Sequence, residues 1–465
     1  MPDFAFLSVA ELGLLLRRKQ ASATELATYF LDRLERLGPR FNAVVTVTRE
    51  RALAEAAQAD REIRQGKWRG PLHGIPYGVK DLLATKGYAT TWGAEPYRQQ
   101  TFDSDATVVE RLTTAGGVLV AKLAMVELAG GMGYNQANAS FTGPGKTPWN
   151  TNYWSGGSSS GPGAAVAAGL VPFAIGSETS GSILTPSAYC GVTGLRPTYG
   201  LVSRHGAMAL AWTMDKLGPL GRTARDCGIV LAIIAGKDPK DPSSVARTFK
   251  AAAESPTKRY RIGVPKGADK DIQPEVAANF RAALQLLHDR VELVEDVELP
   301  DQPYGAVAGM IIAAEGASAF DDLLKDGRLS QLTAPEDRTG GYSALAVSAP
   351  DYLRALRVRR PMQRALDNFL KQFDALAVPT RNTVASPLDK PFRDGWPGIT
   401  GGANVIGPTN VVGVPGISVP NGFGVQGLPT GLSFTARAFD EGKLVTLARL
   451  YQSRTDWHTR RPPLD

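Results

Sequence analysis

The residues best suited to chemistry in this chain are serines within two glycine-rich runs, GGSSSG at 156–161 and GSETSGS at 176–182. A serine hydroxyl attacks a carbonyl carbon when an adjacent base removes its proton. Small neighbours let main-chain N–H groups approach a substrate closely, and N–H groups in a loop that enters a helix can hold a developing oxyanion. One such run is typical of a flexible turn. Two runs in one chain favour a site with a nucleophilic serine.

A histidine-based triad is the first arrangement to consider for such a serine. Residues 157–161 match the G-x-S-x-G nucleophile elbow of α/β-hydrolases, with Ser159 as the nucleophile. That triad needs a histidine downstream, and the chain offers His205, His288 and His458. Their neighbours indicate surface positions in a loop, on a polar helix face and in a charged tail. The histidine triad stays open, but the sequence favours another base.

Lysine is the remaining candidate for the base, and Lys80 has the most suitable position. It ends the run GIPYGVK at 74–80, an apolar strand that would carry its last side chain into the interior. A lysine with its ordinary pKa of ~10.4 is protonated near pH 7, whereas full burial can lower the pKa of an amine by several units. Lys80 could therefore serve as a neutral general base. The alternative for this residue is an ion pair with Asp81 or with another carboxylate.

The elements that position these residues begin with a helical N-terminal segment, residues 1–65. Ser8 with Glu11 and Ser22 with Glu25 have the spacing of capping boxes, which predicts two helix starts. A short strand at 43–47 and a helix at 48–65 follow. Apolar residues after the second start recur with a period near 3.6, so one stripe of that helix should face a core: Leu26, Phe30, Leu31, Leu34 and Leu37.

The next segment, residues 66–236, alternates short apolar runs with glycines and helix-like stretches. The runs predicted as strands are residues 74–80, 117–121, 170–175 and 228–235. Strands interleaved with helices predict an α/β fold, with a largely parallel or mixed sheet covered by helices on both faces.

The last segment, residues 237–465, continues the same architecture. We predict strands at 260–264, 291–298 and 375–378, a mainly helical stretch at 302–370, and a final strand pair before a helix at 441–454. The sequence contains no internal repeat and no convincing linker. A single domain over residues 1–465 is therefore expected.

Composition excludes several classes of protein. The two cysteines, Cys190 and Cys227, cannot build a disulfide framework or a four-thiolate zinc site, and no other metal motif is present. The net charge of +7 is mild for 465 residues and does not predict nucleic-acid binding. Acidic residues near the N-terminus do not resemble a signal peptide, and no apolar run reaches the ~18 residues of a membrane span. We expect a cytoplasmic protein without a cofactor.

Taken together, these motifs resemble the amidase signature family over most of the chain. The combination is specific in order and spacing, and its pieces are PLHGIP at 71–76 leading to VKD at 79–81, GGSSSG at 156–161, TSGSI at 179–183, CG at 190–191 with GLRPT at 194–198, and GVP at 413–415 with SVP at 418–420. The resemblance implies a single three-layer α/β/α domain around a mixed sheet.

The resemblance also implies a Ser-cisSer-Lys triad. In that triad Ser182 is the nucleophile, Ser158 is the bridging serine after a cis peptide bond from Gly157, and Lys80 is the general base. Main-chain N–H groups of the loop before the nucleophile would hold the oxyanion, which assigns this role to Thr179, Ser180 and Gly181. Met125 lies near the pocket-forming segment of the family and is expected to touch the acyl side of the substrate.

The implied activity is hydrolysis of a C–N bond through a serine acyl-enzyme. Amides, aryl amides and carbamates (urethanes) are the expected small-molecule substrates, with esters as a side activity, and the protein is expected to act as a monomer or homodimer. The alternative is the glutaminase-type component of a tRNA-dependent amidotransferase, which would need partner chains. Such components usually carry arginine where this chain has Leu184, which argues against that role. A binding module without catalysis is disfavoured because all three triad positions are filled.

Overall fold

The computed structural model describes residues 3–251, 259–402 and 405–464. The strands are β1 (Val44–Val47), β2 (Pro76–Lys80), β3 (Val118–Leu123), β4 (Phe173–Glu178), β5 (Thr193–Arg196), β6 (Lys216–Gly221), β7 (Tyr260–Pro265), β8 (Val291–Val297), β9 (Ala375–Pro379), β10 (Gly416–Phe423) and β11 (Pro429–Thr435). The α-helices are α1 (Val9–Arg17), α2 (Ala23–Leu37), α3 (Arg49–Arg64), α4 (Thr107–Thr114), α5 (Ser160–Ala167), α6 (Leu184–Cys190), α7 (Ala224–Ile234), α8 (Pro274–Leu286), α9 (Tyr304–Ala319), α10 (Asp321–Lys325), α11 (Asp337–Gly340), α12 (Ala349–Leu370), α13 (Ile406–Val412) and α14 (Glu441–Gln452).

One mixed sheet joins the strands of the described residues in the order β1-β3-β2-β4-β6-β5-β10-β11-β9-β7-β8. β2 is parallel to both β3 and β4, and β7 is parallel to both β8 and β9, whereas the other neighbours are antiparallel. The predicted α/β class with a central mixed sheet is confirmed. Strands from all three sequence segments share this sheet, and this observation favours the single domain that we continue to propose for residues 1–465.

Both predicted capping boxes are present at the N-terminus. The backbone N–H of Glu25 donates to the Ser22 hydroxyl at 3.1 Å, and the Glu25 carboxylate accepts the Ser22 backbone N–H at 2.7 Å. Ser8 and Glu11 repeat the arrangement at the start of α1. The apolar stripe of α2 is buried as predicted. Within the described residues, none of the helices combines the length and apolar character needed to cross a bilayer.

The centre of the sheet consists of strands that are buried along their whole length. β2, β3 and β4 are each fully buried, as expected for parallel strands covered on both faces. The parallel pairing of β2 with β4 aligns the C-terminal ends of both strands. The loops that follow these two strands therefore start close together in the interior.

The prediction of a strand at 228–235 is wrong, because residues 228–234 lie in α7 and Ala235 is its C-cap. The Thr223 side chain accepts the Asp226 backbone N–H at 3.0 Å and caps the helix. The buried positions Cys227, Val230, Leu231 and Ile234 have helical spacing, which outweighs the apolar character of the run. The sequence also does not predict β5 and β6, since both contain glycine, which is disfavoured in strands.

Helix α5 begins within the first serine run and needs small residues to fit its site. A Cβ atom at Gly161 would lie 2.5 Å from both the Ala124 backbone nitrogen and the Ala43 carbonyl oxygen. Both contacts are to main chain, so no side-chain rotation could relieve them. Glycine at this position lets the serine loop sit directly against the end of β3.

We expect Gly161→Ala to lower the free energy of unfolding by about 1–3 kcal/mol, because the new methyl group overlaps backbone atoms. Urea denaturation of the purified protein measures this change. Gly305→Ala on α9 is the matched control, since nothing lies within 4 Å of its Cβ position. The control should be neutral or slightly stabilising. Equal midpoints for Gly161→Ala and the parent would contradict the prediction.

Candidate active site

The Lys80 amine lies in the interior at the last residue of β2. Its side chain is fully buried, and Nζ donates to the hydroxyl of Ser158 at 2.7 Å and to that of Ser177 at 2.9 Å. Burial lowers the pKa of Lys80 to about 7, although the carboxylates of Asp215 and Glu178 oppose the shift. A large fraction of this lysine is therefore neutral near pH 7, as a general base requires.

Asp81 does not pair with Lys80, which excludes the strand-end ion pair considered above. The Asp81 carboxylate instead lies 2.9 Å from the Lys122 amine, and both side chains are fully buried. The Thr91 backbone N–H also donates to Asp81 at 3.0 Å. The carboxylate next to Lys80 is thus occupied by another cation, and Lys80 keeps hydroxyl groups as its hydrogen-bond partners.

Ser158 lies in the loop that leads into α5, and it is fully buried. The Gly157–Ser158 peptide bond is cis, as the resemblance implies. The Ser158 carbonyl accepts the Val126 backbone N–H at 3.1 Å, which holds the loop against the segment after β3. These contacts leave the Ser158 hydroxyl beside the Lys80 amine.

Ser182 lies in the loop between β4 and α6 and is buried except for 7% of its surface. The Ser159 backbone N–H donates to the Ser182 carbonyl at 3.3 Å, so the two serine loops contact each other directly. Within the described residues the Ser182 hydroxyl forms no hydrogen bond to another side chain. The two runs singled out in the sequence are therefore brought together, and Lys80 joins them.

Glu178 holds the loop before Ser182 in shape. Its carboxylate accepts the backbone N–H groups of Ile183 at 2.8 Å and Leu184 at 3.0 Å. The second carboxylate oxygen accepts Arg196 at 2.9 Å and the Asn410 amide at 2.7 Å. Burial alone would raise the pKa of Glu178, but Arg196 and Asn410 outweigh it and the pKa is lowered. The carboxylate therefore stays ionised inside the protein.

The loop from Thr179 to Ser182 presents main-chain donors. The Thr179 hydroxyl donates to the Asp215 carboxylate at 2.6 Å, and Gly181 adopts a φ of +96°, which favours glycine. In the described part of the chain, the backbone N–H groups of Thr179, Ser180, Gly181 and Ser182 have no acceptor. Such free donors are what an oxyanion site needs.

Two cavities adjoin these loops from different sides. The first has a volume of about 160 Å³; its lining combines apolar side chains such as Leu82, Met208, Leu210 and Leu217 with Ser177, Thr179 and the charged residues Arg204, Asp215, Lys240 and Asp241. The second has a volume of about 340 Å³ and has aromatic walls; its lining includes Gly157, Ser180, Tyr134, Trp154, Tyr189 and Phe392. Each of the two serine loops therefore borders a cavity in which part of a substrate could bind.

Met125 does not line either of these two cavities. Its side chain is fully buried and belongs to the main hydrophobic core. Contact of Met125 with the acyl side of a substrate stays a prediction. The neighbouring Glu127 accepts the backbone N–H groups of Thr333 and Ala334, and burial raises its pKa to about 7.

The histidine triad finds no support in the geometry. The Ser159 hydroxyl donates to the Ser177 carbonyl at 3.1 Å and accepts the Ser177 backbone N–H at 3.2 Å. These two bonds tie the serine runs together and occupy the hydroxyl. Among the described residues, no histidine ring is hydrogen-bonded to Ser159.

Sequence reasoning missed Ser177, Asp215 and the Glu178–Arg196 pair. The available signal was a charged residue inside a run that is otherwise small or apolar, at 176–182 and at 194–198. A buried charge almost always has a partner. The identity of that partner was not visible in the sequence, since Glu178 and Arg196 lie on strands that are not adjacent.

The profile of the Amidase family matches residues 25–445. The chain belongs to the amidase signature family. It is therefore a member of a family of C–N bond hydrolases.

Relatives within this amidase family differ in activity. A glutamyl-tRNA(Gln) amidotransferase subunit of Moorella thermoacetica is 38% identical over 490 residues, covering 99% of each chain. The solved structure of peptide amidase from Stenotrophomonas maltophilia has a TM-score of 0.86 at 32% identity, with 99% of each chain covered. The corresponding glutamyl-tRNA(Gln) amidotransferase subunit from Thermotoga maritima has a TM-score of 0.78 at 29% identity, covering 97% of this chain and 95% of its own.

We expect Lys122→Met to lower the free energy of unfolding by about 3–5 kcal/mol, because it leaves the Asp81 carboxylate buried without its cation. Chemical denaturation measures the change. Lys266→Met is the matched control, since the ion pair of Lys266 with Glu298 is on the surface, and this variant should unfold like the parent. Similar stability of both variants would contradict a structural role for the buried pair.

Proposed function

We propose that this protein is an amidase that cleaves small-molecule amides, aryl amides or carbamates through an acyl-enzyme on Ser182. The observation that carries the proposal is the 2.7 Å hydrogen bond between the buried Lys80 amine and the Ser158 hydroxyl, next to the Ser182 loop. We assign Lys80 as the general base, Ser158 as the proton relay and Ser182 as the nucleophile.

The proposed reaction begins when the Ser182 oxygen attacks the carbonyl carbon. The Ser182 proton passes to the Ser158 oxygen as the Ser158 proton passes to neutral Lys80, and the carbonyl oxygen becomes an oxyanion. We assign its stabilisation to the backbone N–H groups of the loop at Thr179, Ser180 and Gly181. The C–N bond then breaks, and the proton returns through Ser158 to the leaving nitrogen. Water repeats the sequence on the acyl ester and releases the acid. No step needs a cofactor.

The variant Ser182→Ala should lower kcat/KM by at least about 10³-fold, because it removes the attacking oxygen. Lys80→Met should have a comparable effect, since it keeps the side-chain volume but removes the base. Stopped assays with p-nitroanilides, fatty amides and aryl carbamates measure these losses.

His458→Ala is the control for these variants and should retain activity, because His458 lies near the C-terminus, outside the proposed triad. Thermal denaturation checks that each variant folds. Loss of activity through His458→Ala together with activity in Ser182→Ala would overturn the assignment.

The activity should depend on pH through Lys80. Because the neutral amine is the active form and its pKa is about 7, kcat/KM should rise as the pH passes through about 7 and should level off above it. A kcat/KM profile from pH 5 to 9 on a neutral anilide measures this limb. A flat acid side would contradict a lysine base, as would a limb that disappears when a histidine is replaced.

The second candidate function is that of the glutaminase-type component of a tRNA-dependent amidotransferase. Relatives named as glutamyl-tRNA(Gln) amidotransferase subunits are 36–38% identical to this chain over nearly its whole length, which favours this reading. Leu184 argues against this function, because such components usually carry arginine at that position. Turnover of the amide panel by the purified chain without partners supports the amidase proposal, whereas activity only with glutamine and partner chains supports the alternative.

A further inference from the structure

The larger of the two cavities beside the serine loops contains a cation without a counter-charge among the described residues. Arg381 lines it, is partly buried, and forms no ion pair with any described carboxylate. Its Nε atom is buried and has no hydrogen-bond partner among the described residues. The Tyr189 phenol beside it raises the pKa of Arg381, so the guanidinium stays charged. A desolvated cation of this kind is stabilised when an anion binds to it.

The charged residues in the lining of this cavity are all cations. The described residues that form it include Arg381 and Arg393 but no aspartate or glutamate. The Arg393 side chain is 87% exposed and lies 3.6 Å from Asp394, so its charge is screened by solvent and partly balanced. Arg381 is thus the cation that a ligand inside the cavity would meet.

The backbone on both sides of Arg381 is held firmly. Thr380 donates its N–H to the Gly431 carbonyl at 2.7 Å, and the Asn382 carbonyl accepts the Gln273 N–H at 3.0 Å. The Gln273 side-chain oxygen accepts the Val384 N–H at 2.8 Å. The backbone that carries Arg381 is therefore already ordered, so that ligand binding does not require this segment to lose backbone entropy.

The same cavity adjoins the two loops that carry Ser158 and Ser182. Gly157 and Ser180, which belong to the two serine loops, line this cavity together with Arg381. The Tyr134 hydroxyl packs closely against Gly157, since a Cβ atom added to this glycine would lie 2.6 Å from it. The positive charge of Arg381 acts to lower the pKa of the same phenol. An anion held by Arg381 would therefore lie beside the loops that carry Ser158 and Ser182.

We propose that the substrate carries a carboxylate, which Arg381 binds in the aromatic cavity while the amide lies at Ser182. This inference rests on the proposed amidase function and names its substrate class. A guanidinium binds a planar carboxylate through two parallel N–H···O bonds, which fixes the orientation of the ligand as well as its charge.

The test compares matched pairs of amides that differ only in charge. N-succinyl-4-nitroanilide against N-butyryl-4-nitroanilide has the carboxylate on the acyl side, and 4-acetamidobenzoate against 4-acetamidotoluene has it on the leaving side. In at least one pair the parent should prefer the anion, and Arg381→Met should lower kcat/KM for the anion by roughly ten- to hundred-fold. The neutral member should change less than about threefold. Arg381→Lys should retain part of the preference, since it keeps the charge but loses the second bond.

Arg354→Met is the matched control, because that arginine is 75% exposed on α12 and should leave the preference unchanged. Equal losses on charged and neutral substrates, or no preference in the parent, would overturn the proposal. Loss of the preference through Arg393→Met alone would also overturn it.

A binding experiment separates this inference from the amidase function. Calorimetry with succinate and with 4-aminobenzoate is carried out on Ser182→Ala and on Ser182→Ala/Arg381→Met. If no amide is hydrolysed but binding is lost with Arg381, the proposed function fails and the carboxylate site stands. If amides are hydrolysed but neither acid binds, the carboxylate site fails and the amidase function stands.

Discussion

The desolvation of one amine is the constraint on which the site depends. Lys80 is surrounded by protein and contacts the hydroxyls of Ser158 and Ser177. A carboxylate in direct contact would restore its positive charge and remove its value as a base. The fold prevents this by giving the neighbouring acids other partners: Asp81 pairs with Lys122 and Glu178 with Arg196, while Asp215 accepts the Thr179 hydroxyl.

These buried pairs also determine the shape of the loops. Glu178 holds the start of α6 through two backbone N–H groups, and Asp215 accepts the Thr179 hydroxyl together with the N–H groups of Leu210 and Ala211. The two carboxylates thus fix the loop, whose own N–H groups from Thr179 to Ser182 have no acceptor among the described residues. A rigid set of donors stabilises charge without the reorganisation that water would need.

The comparisons show how one fold serves different activities. Peptide amidase and the Thermotoga maritima amidotransferase component share this sheet at TM-scores of 0.86 and 0.78. Function lies in the sites that a fold carries, so selectivity must come from the residues around the serines. In this chain we place that selectivity in the aromatic cavity, where the segment after β9 contributes a guanidinium that no described carboxylate neutralises.

The sequence by itself determined the α/β class, the capped N-terminal helices, the family resemblance and the candidates Lys80, Ser158 and Ser182. Each of these features depends on residues that are close together in the sequence: the periodicity of apolar residues, the spacing of a capping box or a short motif. Only the tertiary structure decided that Lys122 forms an ion pair with Asp81 and that the Ser159 hydroxyl links the two serine loops. It also decided that Arg381 lines the cavity beside Ser180. The reason is physical: a side chain's partner and its desolvation depend on strands and loops far apart in the chain, and no local pattern records which of them meet.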